Sequence, residues 1–277
     1  IPAALREEWN IQVLPFPIAM GDREYMDGFD FTPDEFFQML LDSPQIPTHA
    51  QLNPYLFTEC FEKEWKEGYT DLIHTSINSK GSATYGNAIQ ARDEFYEDHP
   101  DAQDTFHIHI IDSKNYTMGY GWAVVQGAKM AAAGAQAGEI VDFIQDWVDH
   151  VRVIFAPLDL RFAKKSGRIS AAAAFMGEAL GLKPIMKIFD RAITTAAKCR
   201  GDAKLAQKVA EMTAESILPG TPYEVIYGSD ESSREEMTKL LTEKLGYPPA
   251  AAYQIGAVIA ANAGPKVAGA AFTRKPE

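Results

Sequence analysis

Residues 70–88 read TDLIHTSINSKGSATYGNA, a stretch in which an apolar run leads through a polar loop into a helical pattern. We predict a β-strand over residues 70–77, a loop around Ser82 and a helix that begins near Thr84. A second apolar run, TFHIHIIDS at residues 105–113, predicts another strand after that helix. Strands and helices that alternate in this way favour a parallel β-sheet with helical connections.

This alternation continues to about residue 155, where we place a domain boundary. Beyond it, the pattern predicts a hairpin that turns near Asp190, followed by helices and strands, and strand-like pieces over residues 251–274. Hairpins mixed with helices are typical of an α+β domain. The expected fold class is α/β, with a parallel-sheet α/β domain over residues 1–155 and an α+β domain over residues 156–277.

Composition excludes several classes of function. The formal net charge of −12 argues against a nucleic-acid partner, because phosphate binding requires clustered Lys and Arg. No apolar run is long enough to predict stable membrane insertion. The two cysteines, Cys60 and Cys199, have neither a disulfide nor a zinc spacing, so we expect a cytoplasmic protein. No nucleotide-binding glycine motif is present, and no cofactor or metal is predicted.

Two polar loops follow strands of the predicted sheet. The loop IPTHAQ offers Thr48, His49 and Gln51, and the loop around residue 82 offers the hydroxyls of Ser82 and Thr84. The carboxyl ends of parallel strands share one edge of a sheet, and the start of a helix favours an anion. Both loops are therefore candidates to hold one carboxylate. An alternative is that these residues only cap helices, as Ser and Thr commonly do.

Two catalytic interpretations are weaker. Ser82 follows a strand and precedes a helix, but the G-x-S-x-G pattern of a nucleophile elbow is absent. His107 and His109 share one face of a strand and form a possible metal pair, yet no nearby Cys, Asp or Glu completes a ligand set in the sequence. A small-molecule hydrolase or phosphotransfer enzyme that uses Ser82 remains the alternative function.

Several blocks follow one another along nearly the whole chain. They are, in order, IQVLPFPIAMGDREYMDGFDFTPDEFF (11–37), IPTHAQLNP (46–54), the Ser82–Thr84 loop, IIDS (110–113), LDLRFAKKSGRIS (158–170), GLKPIM (181–186) and KCRG (198–201). In this order they resemble the DegV family. The resemblance implies that a first strand of the family would lie just before Ile1. It also implies a fatty acid-binding protein without enzymatic activity, in which a long-chain fatty acid such as palmitate is buried between the two domains. A fatty acid kinase is the partner that the resemblance implies.

The resemblance also implies which residues bind the carboxylate. Ser82 and Thr84 match the hydroxyls of one family loop, whereas His49 and Ala50 replace hydroxyl residues of the other and leave Thr48 as the nearest hydroxyl. Near the chain end, IAANAGPKVAG (259–269) places Asn262 where the family often has a histidine, and Lys266 where it has a glycine.

Two arginines and one alanine-rich stretch complete the candidates. By resemblance, Arg168 and Arg200 lie near the carboxylate end and help to dock a kinase or its phosphate. The stretch SAAAAFMGEALG (170–181) is either a small-residue wall beside the acyl chain or a close-packed helix.

Overall fold

The computed structural model describes residues 1–169, 182–201 and 204–274. The alanine-rich stretch at residues 170–181 lies outside these described residues. In chain order the elements are α1 (Ala3–Glu8), β1 (Pro17–Met20), β2 (Arg23–Met26), α2 (Pro33–Asp42), β3 (Thr48–His49), α3 (Pro54–Lys66), β4 (Asp71–Ser76), α4 (Thr84–Asp98), a 3-10 turn (Pro100–Ala102), β5 (His107–Asp112), α5 (Met118–Ala132), α6 (Ala137–His150), β6 (Val151–Pro157), α7 (Leu160–Ser166), β7 (Leu182–Phe189), β8 (Ala192–Arg200), α8 (Leu205–Ser216), β9 (Tyr223–Tyr227), α9 (Glu231–Leu245), β10 (Ala251–Gln254), α10 (Ala257–Ala263) and β11 (Val267–Thr273).

The described strands form three sheets. β4 and β5 pair in parallel, from Asp71 opposite His107 to Ser76 opposite Asp112. Six strands form a mixed sheet in the order β10-β9-β11-β6-β7-β8, in which β9 and β10 are parallel and the other pairs are antiparallel. The predicted α/β class is confirmed. The antiparallel sheet β2-β1-β3 was not predicted from the sequence.

The six-stranded sheet carries a hydrophobic core on each face. α8 and α9 cover one face through side chains such as Val209, Met237 and Leu241. The other face packs against α2, α5, α6, α7 and α10 in a cluster that includes Phe36 and Ile144. A third cluster lies between α3, α4 and β5. The face that packs against α2, α5, α6, α7 and α10 is called the inner face, and its cluster the inner hydrophobic cluster. The candidate site lies on this inner face.

Residue 155, where the sequence places a domain boundary, lies inside β6. This strand pairs with β7 and β11 near the middle of the six-stranded sheet. The inner hydrophobic cluster contains residues from both sides of this position, among them Ile18 and Val267. The division into domains 1–155 and 156–277 stays a prediction.

The prediction of strand-like pieces over residues 251–274 is wrong in its middle part. β10 and β11 are strands, but α10 is a helix between them, and its side chains are mostly buried. A short apolar run rich in alanine has no period that separates helix from buried strand. Gly264, with φ +87°, ends the helix in a conformation that favours glycine. Asn262 therefore lies on a helix, one turn after Val258.

Candidate functional site

The loop between β4 and α4 forms a compact turn. The carbonyl oxygen of Asn78 accepts hydrogen bonds from the main-chain N–H groups of Gly81 (3.0 Å) and Ser82 (3.2 Å). A Cβ atom at Gly81 would lie 2.1 Å from the hydroxyl oxygen of Tyr116, so a larger residue would displace that ring. The turn places Ser82 Oγ 2.8 Å from Thr84 Oγ1, and the Thr84 N–H donates to Ser82 Oγ at 3.3 Å.

Thr84 fixes this loop to the loop that follows β3. Its side chain is buried, and its Oγ1 accepts a hydrogen bond from the N–H of Leu52 at 3.3 Å. The side-chain amide of Asn87, one turn later on α4, donates to the Leu52 carbonyl at 2.6 Å. The two predicted loops therefore lie together. The reason why the loops meet differs from the predicted one. β3 is an antiparallel strand of a separate sheet and not a parallel neighbour of β4.

His49 lies in β3 and contacts α10. The amide nitrogen of Asn262 donates to His49 Nε2 at 2.9 Å and to the carbonyl oxygen of Val258 at 2.6 Å. Burial, followed by the nearby positive charge of Arg168, lowers the pKa of His49 below its ordinary value. Because Nε2 accepts a hydrogen bond, the imidazole is neutral in this arrangement. Asn262 and His49 thus form a polar pair from two distant parts of the chain.

These groups border a cavity of about 350 Å³ between the loops and the inner face of the six-stranded sheet. Its volume lies within the range of about 300–1,000 Å³ that is common for small-molecule sites. Its polar lining consists of His49, Gln51, Ser82, Tyr116, Thr117, Arg168 and Asn262. Its apolar lining comes from β6–β9, β11 and α10 and includes Val153, Phe155, Ile188, Ile193, Ile226, Val258, Ile259 and Val267. The arrangement suits a ligand with one polar end and an apolar body.

Arg168 supplies the positive charge of the site. It follows α7 after Gly167, whose φ of +69° ends that helix, and its guanidinium donates to the Ser166 carbonyl oxygen at 3.2 Å. Burial raises the pKa of Tyr116 and the charge of Arg168 opposes this shift, as expected for neighbouring groups. Among the described residues that line the cavity, Arg168 has the only permanent positive charge.

Not every candidate residue lines the cavity. Thr48 is exposed and pairs with Ala19 in the antiparallel sheet. Successive residues of a strand point to opposite faces, so His49 lines the cavity and Thr48 does not. The alternative in which Thr48 caps a helix is wrong, because Thr48 lies in β3 and Asn53 is the N-cap of α3. Arg200 is exposed at the end of β8, opposite Leu182, and is also outside the lining. Thr84 does not line this cavity, because its side chain is buried next to Ser82 and its hydroxyl oxygen accepts the N–H of Leu52.

Sequence reasoning missed Tyr116 and Thr117, which follow β5. Thr117 has φ +54°, an uncommon conformation for a residue with a branched side chain. Its Oγ1 is buried without a hydrogen-bond partner in the described part of the chain. Their position just after a strand of the parallel pair was the available signal.

A larger cavity of about 1410 Å³ adjoins the first one and extends along β4, on the edge where no other described strand pairs with it. The two share five lining residues, namely Phe16, Ile77, Thr117, Val258 and Ile259. Thr84 lines the larger cavity, whereas His49, Ser82, Arg168 and Asn262 line the smaller one. We take the smaller cavity as the candidate site, because the polar groups converge there around an apolar interior.

The possible metal pair of His107 and His109 finds little support in the geometry. His109 Nε2 lies 3.1 Å from an Asp71 carboxylate oxygen, and His107 Nδ1 lies 3.8 Å from the same oxygen. None of these three residues lines the smaller cavity. Over residues 1–169, 182–201 and 204–274, no group of three or more His, Cys, Asp or Glu is placed to hold a metal ion. Within the same ranges, no helix combines the length and the apolar character needed to cross a membrane.

The sequence matches the DegV family of uncharacterised proteins over residues 1–275, and the chain belongs to this family. A DegV domain-containing protein from Caldanaerobacter subterraneus subsp. tengcongensis is 30% identical over 277 residues, which cover 99% of this chain and 95% of that protein. A DegV domain-containing protein from Clostridium perfringens is 28% identical with the same coverage. The predicted family is confirmed.

Solved structures share the fold. A stearic acid-binding protein from Eubacterium ventriosum has a TM-score of 0.87 at 24% identity and covers 99% of this chain and 95% of its own. A DegV family protein from Thermus thermophilus, described as fatty acid-binding, has a TM-score of 0.81 at 25% identity with the same coverage. DegV from Bacillus subtilis, also described as a fatty acid-binding protein, has a TM-score of 0.81 at 22% identity over the same shares of the two chains.

Proposed function

We propose that this protein binds one long-chain fatty acid in the 350 Å³ cavity, with the carboxylate at the polar cluster and the acyl chain against the six-stranded sheet. Ser82 Oγ donates a hydrogen bond to the carboxylate, and the guanidinium of Arg168 supplies the opposite charge. The pair of His49 and Asn262 completes the polar wall. The single observation that carries this proposal is that a hydroxyl, an amide and a guanidinium line one cavity whose remaining wall is largely apolar.

Relatives support the chemical class of the ligand. The fatty acids named for solved DegV relatives include stearic, vaccenic and heptadecanoic acid. All three are long unbranched chains with one carboxylate, which is the shape that the cavity lining favours. Palmitate has the same form and serves as the test ligand.

A carrier without enzymatic activity agrees better with the geometry than the hydrolase or phosphotransfer alternative. Among the described residues, Ser82 Oγ forms hydrogen bonds with the hydroxyl and the N–H of Thr84 and none with an imidazole. The neighbouring His49 uses Nε2 to accept from Asn262. A serine nucleophile needs a general base within hydrogen-bond reach, so Ser82 is better placed to bind than to attack.

The role of a kinase partner is a further part of the proposal. Arg200 is exposed outside the cavity, and Arg168 is exposed at its lining, so both are accessible to another protein. In this proposal the protein presents the bound acid to a fatty acid kinase, with Arg200 on the docking surface.

Palmitate and hexadecanol distinguish carboxylate binding from general lipid binding. We expect lipid-free protein to bind palmitate about 10- to 150-fold more tightly than hexadecanol, since hydrogen bonds to a charged group are worth about 1.5–3 kcal/mol. Isothermal titration with both ligands below their aggregation limits checks this. Equal affinities would show that the polar cluster does not recognise a carboxylate.

The affinity for an anionic ligand is expected to depend on His49. The lowered pKa of His49 is expected to rise when a carboxylate lies beside it, because the negative charge favours the protonated ring. Affinity is therefore highest at low pH and falls as the pH rises through the ligand-bound pKa of His49. Hexadecane sulfonate remains an anion from about pH 5.5 to 8.5, and so separates this effect from ionisation of the ligand. The same slope in wild type and in His49→Gln would contradict the expectation.

A further inference from the structure

The turn between β7 and β8 has two residues, Asp190 and Arg191, with φ of +43° and +67°. A two-residue hairpin turn of type I′ requires positive φ at both positions, where Gly, Asn and Asp are preferred. Arg191 is therefore the uncommon residue in this turn, and such a residue persists when surrounding interactions hold it. The surrounding interactions at Arg191 connect the turn to the loop that carries Ser82.

Arg191 reaches this loop with both its side chain and its main chain. Its Nε donates to a carboxylate oxygen of Asp112 at 2.7 Å and lies 3.2 Å from Ser79 Oγ. Its carbonyl oxygen accepts from the side-chain amide of Asn78 at 3.1 Å, and its N–H donates to the Lys114 carbonyl oxygen at 3.1 Å. The hairpin turn is therefore bonded to the segments that follow β4 and β5.

Asp112 connects Arg191 to the same segments. Its buried carboxylate accepts from Ser79 Oγ (2.5 Å), from the Ser79 N–H (3.0 Å) and from the Lys114 N–H (3.0 Å). Burial acts to raise the pKa of Asp112, but the hydrogen bonds from Ser79, Lys114 and Arg191 outweigh it and hold the pKa below its ordinary value. The group is therefore an ionised partner for Arg191.

The bonded residues begin the turn that ends at Ser82. Asn78 accepts the N–H groups of Gly81 and Ser82 at its carbonyl oxygen, and its side-chain oxygen accepts the N–H of Lys80 at 2.9 Å. Arg191 thus holds Asn78 and Ser79, the first residues of this turn. This turn then determines where the Ser82 hydroxyl lies at the cavity.

The same hairpin also lines the apolar part of the cavity. Ile188 and Ile193 are the second cross-strand pair from the turn, and both are cavity-lining residues. We propose that Arg191 is a positioning residue, which fixes Ser82 for the ligand carboxylate while its own hairpin contacts the acyl chain. This inference rests on the proposed function.

Arg191→Gly is the variant that tests it. Glycine accepts the φ of +67°, so the turn is expected to be retained while the contacts to Asp112 and Ser79 are lost. We expect affinity for palmitate to fall about 10-fold and affinity for hexadecanol to change less than about 2-fold, because only the carboxylate contact is misplaced. Asp190→Gly is the matched control, since it makes the same change in the same turn. It removes the contact of the Asp190 carboxylate with Arg191 Nη1 (3.0 Å) but leaves the contact of Arg191 Nε with Asp112, and it is expected to bind palmitate as wild type does.

A double-mutant cycle with Ser82→Ala separates positioning from general destabilisation. If Arg191 acts through Ser82, the change of Arg191 to glycine has little further effect on palmitate affinity once Ser82 is alanine. The inference is overturned if the losses of the two single variants add in the double variant, if Arg191→Gly loses palmitate and hexadecanol affinity equally, or if Arg191→Gly binds palmitate as wild type does.

Failure of the wild-type protein to bind palmitate would overturn the proposed function and this inference together. If palmitate affinity depends on Ser82 but not on Arg191, only this inference is overturned.

Discussion

Replacement of Ile193 by tryptophan is expected to weaken palmitate binding by about 200-fold. Ile193 lines the apolar part of the cavity, and a tryptophan there would occupy volume that the acyl chain needs. Displacement of about four methylene groups, at about 0.8 kcal/mol each, costs about 3 kcal/mol of binding free energy. Titration of lipid-free protein with palmitate measures the loss.

Thr194→Trp is the matched control for this variant. Thr194 is the next residue on β8, is exposed and does not line the cavity, because neighbouring strand residues point to opposite faces. We expect it to bind palmitate with wild-type affinity. Equal affinities of Ile193→Trp and Thr194→Trp would place the acyl chain outside this cavity.

Replacement of Ser82 by alanine is expected to cost about 1.5–3 kcal/mol of palmitate binding, or about 10- to 150-fold in Kd. The hydroxyl borders the cavity, and we propose that it donates to a charged carboxylate. The binding loss is measured by titration, and thermal unfolding of the lipid-free protein reports the structural effect of the change.

The control for Ser82→Ala must separate loss of ligand binding from loss of local helix contacts. Ser82 Oγ also accepts from the Thr84 N–H, so part of its role is to order the start of α4. Ser233→Ala removes another serine hydroxyl near the start of a helix, which donates to the Asp230 carboxylate at 3.3 Å in the first turn of α9. Ser233 does not line the cavity, and this change is expected to leave binding unchanged. If Ser82→Ala lowers the unfolding temperature of lipid-free protein as much as that of the complex, its hydroxyl only caps the helix.

Local patterns predicted much of this fold. The start of α2 depends on neighbouring residues: Thr32 is its N-cap, Pro33 is its first residue, and Thr32 and Glu35 form a capping box. The hairpin was predicted to turn near Asp190, where β7 ends and β8 begins. These features depend on residues that are close in sequence, and therefore their signals are visible without the tertiary structure.

The site required information that local patterns do not hold. His49 and Asn262 are 213 positions apart, and their hydrogen bond depends on the packing of β3 against α10. β3 has only two residues and no pattern of its own. The role of Arg191 was also hidden, because its partner Asp112 lies 79 positions away, on a strand of another sheet.

The central claim is that this chain binds one long-chain fatty acid through its carboxylate and its acyl chain. Mass spectrometry of the native protein, purified without added lipid, tests it most directly, with lipid extraction from the same sample to identify any ligand. We expect one long-chain fatty acid per protein chain, which is lost from Ile193→Trp and retained by Thr194→Trp. Protein that carries no lipid and takes up no added palmitate would contradict the account.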